Sequence, residues 1–236
     1  MNVNRYCGDA EESVAENMDR LCGVLGTTPR GVVTAHQTHG TRVLDVTPRF
    51  LVLDDADRAA EAEGVDALIT AEPYIYIGVS TADCVPILMC DTERRVVAAV
   101  HAGWRGTCAR ILVHTVEAMV REYGCRPHDI MAHIGPSISA EAFEVGDEVY
   151  DAFRDAHFPM SRIATKPCHK WHIDLPGANA LTLAELGVRP ENVRLSGECT
   201  YKQSDKYFSA RRLSINSGRL LSAIALRPAG HLPFRY

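Results

Sequence analysis

The stretch RVVAAVHAGWRG, residues 95–106, limits this chain more than any other. Arg95–Val100 is apolar almost throughout, without the polar alternation of a strand that faces water on one side. Such a run reads as a strand buried on both faces, so structure must cover it on either side. His101 follows at the strand's open end, with Gly103, Arg105 and Gly106 behind it. The helical spacing of Ile111, Leu112, Thr115, Val116, Met119 and Val120 then predicts a helix over 106–123.

The remaining pattern fills in the layers. Val32–Ala35 and Arg42–Val46 are short β-rich runs around the turn HQTHG, and Val65–Thr70, Ile75–Ser80, Val85–Met89 and Ile130–Ile134 read as strands. Helices are expected over 10–25, capped by Asp9, over Glu148–Phe158 and over Gly177–Leu186. The charged, Ala-rich segment 54–63 reads as a helix or a loop, and short strands are expected in the tail from Val193 to Leu226. Strands come in consecutive groups with few helices between them. That order predicts an α+β fold, mixed β-sheets flanked by helices, rather than a regular βαβ array. A chain of 236 residues with no repeat and no linker is expected to be a single domain over 1–236.

Some function classes fall away. The net charge is −5 and no basic run is interleaved with aromatics, so neither nucleic acid nor an anionic membrane is expected as a partner. No stretch approaches the ~18 apolar residues of a membrane span. MNVNRYCGDAEE lacks the basic and apolar regions of a secretory signal, so a cytoplasmic protein is expected. The eight cysteines contain no C-x-x-C pair and read as buried thiols, not as a disulfide framework.

Three stretches carry chemistry: AHQTHGTRV with His36 and His39, STADCVPIL with Cys84, and the opening stretch with His101. Each sets a metal-capable side chain on a loop or strand end, where several can converge at one sheet edge. Two imidazoles and a thiolate suit zinc, which in catalytic sites keeps three protein ligands and one open position. Zinc also brings the pKa of water it binds toward ~7. His39, Cys84 and His101 would make that set. Equally, a histidine at a strand end can be a hydrogen-bonded core residue, and Cys84 one more buried thiol. CHKWH at 168–172 has H-x-x-H spacing that could seed a second metal, and it also reads as an exposed strand with surface imidazoles.

QTHG at 37–40, TADCVPIL at 81–88, AAVHAGWRG at 98–106, IGPSI at 134–138 and FEVGDEV at 143–149 together resemble the YfiH-like, laccase-domain family. NVNRYCGD at 2–9 and CTY, YFSARR and SGRLLSAIAL within 199–226 resemble that family's two ends. The resemblance implies a YfiH-like α+β fold and one metal, held here by His39, Cys84 and His101. It implies phosphorolysis of adenosine, inosine, guanosine and methylthioadenosine, and deamination of adenosine. The partners would then be purine nucleosides and phosphate, handled by a monomer or homodimer. An older label for the family is polyphenol oxidase, or multicopper laccase. The ten histidines form no H-x-H pair and no cysteine has a histidine on each side, so one three-ligand site, not a multicopper cluster, is expected. Zn²⁺ is the expected ion, and Cu²⁺ could load the same site in vitro.

The other candidates keep two readings each. Deamination at C6 needs a carboxylate to shuttle a proton, and Asp83 is nearest in sequence to Cys84; alternatively it holds its loop by hydrogen bonds. Arg105 offers a fork for phosphate, or pairs with a carboxylate to fix the turn. Arg211 and Arg212 are further candidates for substrate or phosphate. His36, where relatives often carry a non-ligating residue, would contact substrate, compete as a ligand or face solvent. Ala210 departs from the aromatic or histidine common before the arginine pair. The main rival is a cysteine hydrolase or amidase acting on cell-wall peptides, with Cys84 as nucleophile and His101 as base. A non-enzymatic binding protein is the other.

Overall fold

The strand Val96–Ala102 lies inside a six-stranded sheet, with all seven of its residues buried. The order across that sheet is Val193–Leu195, Met131–Ile134, Val85–Asp91, Val96–Ala102, Val65–Thr70 and Arg42–Asp45. The outermost pair on each side is parallel and the inner pairs are antiparallel, so the sheet is mixed. The structure is a computed structural model that describes residues 1–227; residues 228–236, with His231, lie outside the described residues.

Side chains alternate across a strand, and here both faces are covered. Ala98, Val100, Ala67, Ile69, Ile87 and Met89 pack against Ile111, Leu112, Val116 and Met119 of the helix Ile111–Tyr123. Val97, Ala99 and Leu68 face the other way, toward Ile77 and Val79. Those two belong to a second sheet, in which Tyr76–Thr81 lies between Val32–Val33 and Leu220–Ile224. A small antiparallel sheet of Glu144–Val145, Trp171–Ile173 and Ala164–Thr165 completes the α+β fold. Full burial of an Ile or Met side chain stabilises by about 1.5–3 kcal/mol, and the first layer contains Ile111, Met119, Ile87 and Met89, none of them exposed. Among the described residues no helix is long and apolar enough to cross a membrane.

Several local expectations shift. The helix expected over 106–123 is two, Trp104–Cys108 and Ile111–Tyr123, separated where Arg110 turns left-handed at φ 64°. Apolar spacing cannot reveal that break. At the break the Arg110 side chain makes long-range contacts: the guanidinium reaches Ala156 O at 2.8 Å and Glu185 at 3.2 Å and lies 4.0 Å from the Phe158 ring centroid. Asp9 does not cap the first helix, Glu11–Leu25, whose N-cap is Ala10; its carboxylate accepts from Asn2 and the Ala10 amide instead. Segment 54–63 contains the helix Asp55–Glu61, with Asp54 capping Asp57 N. In the tail, residues 200–206 are turns, followed by the short helix Ala210–Leu213.

Candidate metal centre

The sheet register brings three loops to one edge. Val85 pairs with Ala102, Ala67 with Val100, and Arg42 with Val65. Residues just before 42, just before 85 and just after 102 therefore meet at the same end. His101 is the penultimate residue of its strand, not the residue beyond it. It shares the face of Val97 and Ala99, and Asp66 shares that face on the neighbouring strand. His101 Nδ1 lies 2.7 Å from Asp66 Oδ1, with the imidazole nearly and the carboxylate fully enclosed.

His39 arrives on a turn with φ 64°, a conformation uncommon for a residue with a Cβ. Asp66 supports that backbone: Oδ1 accepts from His39 N at 3.0 Å, and Oδ2 accepts from Gly40 N at 2.7 Å and Thr38 N at 3.2 Å. Gln37 ties the same turn to the second sheet, its Nε2 donating to Ser80 O at 2.8 Å and its Oε1 accepting from Ser80 N at 2.7 Å. Cys84 follows Asp83, itself at φ 89°. Positive φ at two residues beside one cluster matches the tendency of backbone strain to gather at functional sites.

The ligand atoms of His39, Cys84 and His101 all lie within 4.8 Å of one another. Cys84 Sγ is 3.8 Å from His39 Nε2, and the two imidazoles meet edge to face with centroids 4.8 Å apart. Sulfur and nitrogen donors on one tetrahedral zinc would lie about 3.5 Å apart, so this spacing fits. A Cβ at Gly103 would stand 2.9 Å from His39 Cδ2 and 3.1 Å from Cys84 Sγ. The glycine leaves room for the ligands. With its Nδ1 on Asp66, His101 has Nε2 left for the cluster. Burial would raise the Cys84 thiol, but the charge and hydrogen bond of His101, then those of His39, bring it down to about 6. Burial would lower His101, and Cys84 and Asp66 raise it to about 9. Burial likewise pushes Asp66 up, yet His101 and the Gly40 and Thr38 amides hold it below the usual carboxylate range.

The other candidates sit around this group in different ways. Asp83 is buried, and both its oxygens are engaged: Oδ1 accepts from Thr200 Oγ1 at 2.7 Å and Oδ2 from Arg211 N at 2.7 Å. It straps the Cys84 loop to the tail. Arg105 is exposed, its guanidinium 4.2 Å from the Trp104 ring centroid, and its side chain forms no ion pair among the described residues. Arg211 Nη1 donates to Glu144 O at 2.9 Å, and the Arg212 guanidinium lies 5.2 Å from the Tyr201 ring centroid. His36 is outside the trio: its Nδ1 lies 2.8 Å from Glu63 Oε1 and its ring stacks on Tyr6 with centroids 4.2 Å apart. In the 168–172 segment Cys168 and His169 are exposed in a turn and His172 Nδ1 lies 3.1 Å from Ala140 O. Among the described residues no second group of three metal-capable side chains forms. Asp66 and Gln37 were missed by sequence reasoning. For Asp66 a signal existed, one carboxylate in the otherwise carboxylate-free buried run VDALIT.

The profile of the family described as multi-copper polyphenol oxidoreductase laccase matches residues 1–227. A purine nucleoside phosphorylase of Bacteroides thetaiotaomicron is 44% identical over 227 residues, covering 95% of this chain and 84% of that protein. Adenosine deaminase RL5, from an unknown prokaryotic organism, is 43% identical, covering 95% of this chain and 86% of its own. The crystal structure of YlmD from Geobacillus stearothermophilus superposes with a TM-score of 0.87 at 31% identity, covering 96% of this chain and 85% of that one.

Proposed function

The chain belongs to the multi-copper polyphenol oxidoreductase laccase family, and from that premise we propose that it is a zinc-dependent purine nucleoside phosphorylase that also deaminates adenosine. The observation that carries the reading is the convergence of His39, Cys84 and His101 within 4.8 Å, in a chain whose relatives bear those two names. One domain over residues 1–236 would carry the activity, on adenosine, inosine, guanosine and methylthioadenosine with phosphate as co-substrate, in the cytoplasm.

His39, Cys84 and His101 would hold the zinc. Bound there, zinc would supply a Lewis acid able to activate water at neutral pH. Arg105 would receive phosphate, supported by its exposure and by the lack of an ion-pair partner among the described residues. Arg211 and His36 would border the substrate, His36 held by Glu63 and Tyr6. Asp83 has two proposed roles, and its two occupied oxygens favour strap over proton carrier. The one such trio among the described residues, two imidazoles and a thiolate, suits a single ion. Cu²⁺ competes well for such a set, so oxidase activity would be a property of the copper-loaded protein.

The test is a nucleoside panel with and without phosphate, read by mass spectrometry on protein of measured zinc content. Phosphate-dependent ribose 1-phosphate from inosine and phosphate-independent inosine from adenosine are expected. Turnover of neither nucleoside overturns the reading.

A second reading has its own observation. Asp66, His101 and Cys84 stand in the order orienter, base, nucleophile, as in a cysteine hydrolase. Iodoacetamide separates the two. A thiol protected by stoichiometric zinc supports the ligand role, whereas rapid alkylation of zinc-free, active protein supports the nucleophile.

A further inference from the structure

The strand Val65–Thr70 is buried along its whole length, and its second residue is a carboxylate with no exposure at all. A buried carboxylate is costly unless hydrogen bonds replace its water. Asp66 meets that need completely, with two donors on each oxygen: His101 Nδ1 and His39 N on Oδ1, Gly40 N and Thr38 N on Oδ2. Three of those donors are consecutive amides of the turn that carries His39, and the fourth is the ring of His101. Two of the three candidate ligands, far apart in sequence, thus depend on one side chain.

We propose that Asp66 is the positioning residue of the metal centre, setting the His101 ring with its Nδ1 proton inward and Nε2 toward the cation, and holding the left-handed turn that presents His39. The inference rests on the zinc reading above. Ligand histidines generally give their second ring nitrogen to such a partner, and losing it typically weakens the metal 10–100-fold. What is particular here is the double hold. An asparagine at 66 keeps the shape and fails either way round. With its amide nitrogen toward His101, it donates to Nδ1 and moves the ring proton to Nε2, where a lone pair is needed. With that nitrogen toward Thr38 and Gly40, it sets donor against donors and loosens the turn.

The experiment measures zinc affinity of the wild type and Asp66→Asn by competition with a chromophoric chelator, using the folded fraction of each. A loss of about 10–100-fold is expected. Equal affinities overturn the inference while leaving the zinc reading standing. A wild type that takes up no zinc overturns that reading, and this inference with it. Should Asp66→Asn not fold, the wild type loaded with Co²⁺ decides. The ring N–H of one ligand histidine should exchange slowly with solvent, held by the enclosed carboxylate, and that of exposed His39 quickly. Two equally fast N–H signals overturn the proposal.

Discussion

Two segments of this molecule carry histidines three residues apart, the turn with His36 and His39 and the turn at His169 that runs into the strand holding His172. Both also hold a left-handed histidine, His39 and His169, each at φ 64°. Only the first turn becomes part of a ligand group. Asp66 accepts three of its amides and Gln37 fastens it to Ser80, so His39 is delivered to the sheet edge where Cys84 and His101 emerge. The second turn lies beside a three-stranded sheet with His169 and Cys168 facing solvent. Its neighbouring Trp171 is occupied by Tyr150, stacked at 3.8 Å, and by Lys166, 4.4 Å from the ring centroid. Spacing alone therefore says little about metal binding. What differs is a buried acceptor that orders the turn and a second and third donor within reach.

The contrast can be broken most severely at Cys84. Cys84→Ala should take bound zinc from one equivalent to near zero and reduce phosphate-dependent purine release by more than about 100-fold, since a metal supplies several kcal/mol at the transition state. Elemental analysis and product assay check both. Next comes Gly103→Ala, which leaves every ligand in place but puts a methyl 2.9 Å from His39 and 3.1 Å from Cys84. Roughly tenfold weaker zinc binding, comparable to losing a supporting contact, should appear in chelator competition. Gln37→Ala removes two bonds and leaves the Ser80 backbone groups unpaired. It should cost about 2 kcal/mol and lower Tm by roughly 4–8 °C, measured by calorimetry, with zinc still bound. The smallest effect sharpens the comparison from the other side. His169→Ala and His172→Ala together should leave zinc stoichiometry and turnover as they are, and any loss of zinc would erase the distinction.

Much of this was legible in advance, for reasons that differ by element. The central strand Val96–Ala102 is legible from its apolar run, and Val65–Thr70 is expected with the boundaries it has despite the acid at 66. His39, Cys84 and His101 could be grouped because each sits beside a glycine, a turn or a strand end, in motifs that resemble those of one family. Arg110 could not be read as a helix break, because its partners, Ala156, Phe158 and Glu185, lie more than 40 residues further along the chain. Asp66 was overlooked for a related reason. A single acid in a β-rich run gives no hint of what it faces until strand register sets it beside His101. Asp83 was placed next to the chemistry by sequence adjacency, yet its oxygens serve Thr200 and Arg211, which only the folded tail brings near.

Trp104 follows Gly103, the residue pressed against two of the candidate ligands, and its ring carries the Arg105 guanidinium. The chain has only one other tryptophan, Trp171, in the stack with Tyr150. The molecule therefore contains its own optical reporter. In a Trp171→Phe background, indole emission would come from Trp104 alone, and its intensity would register metal loading and anion arrival in real time, without label or coupled assay.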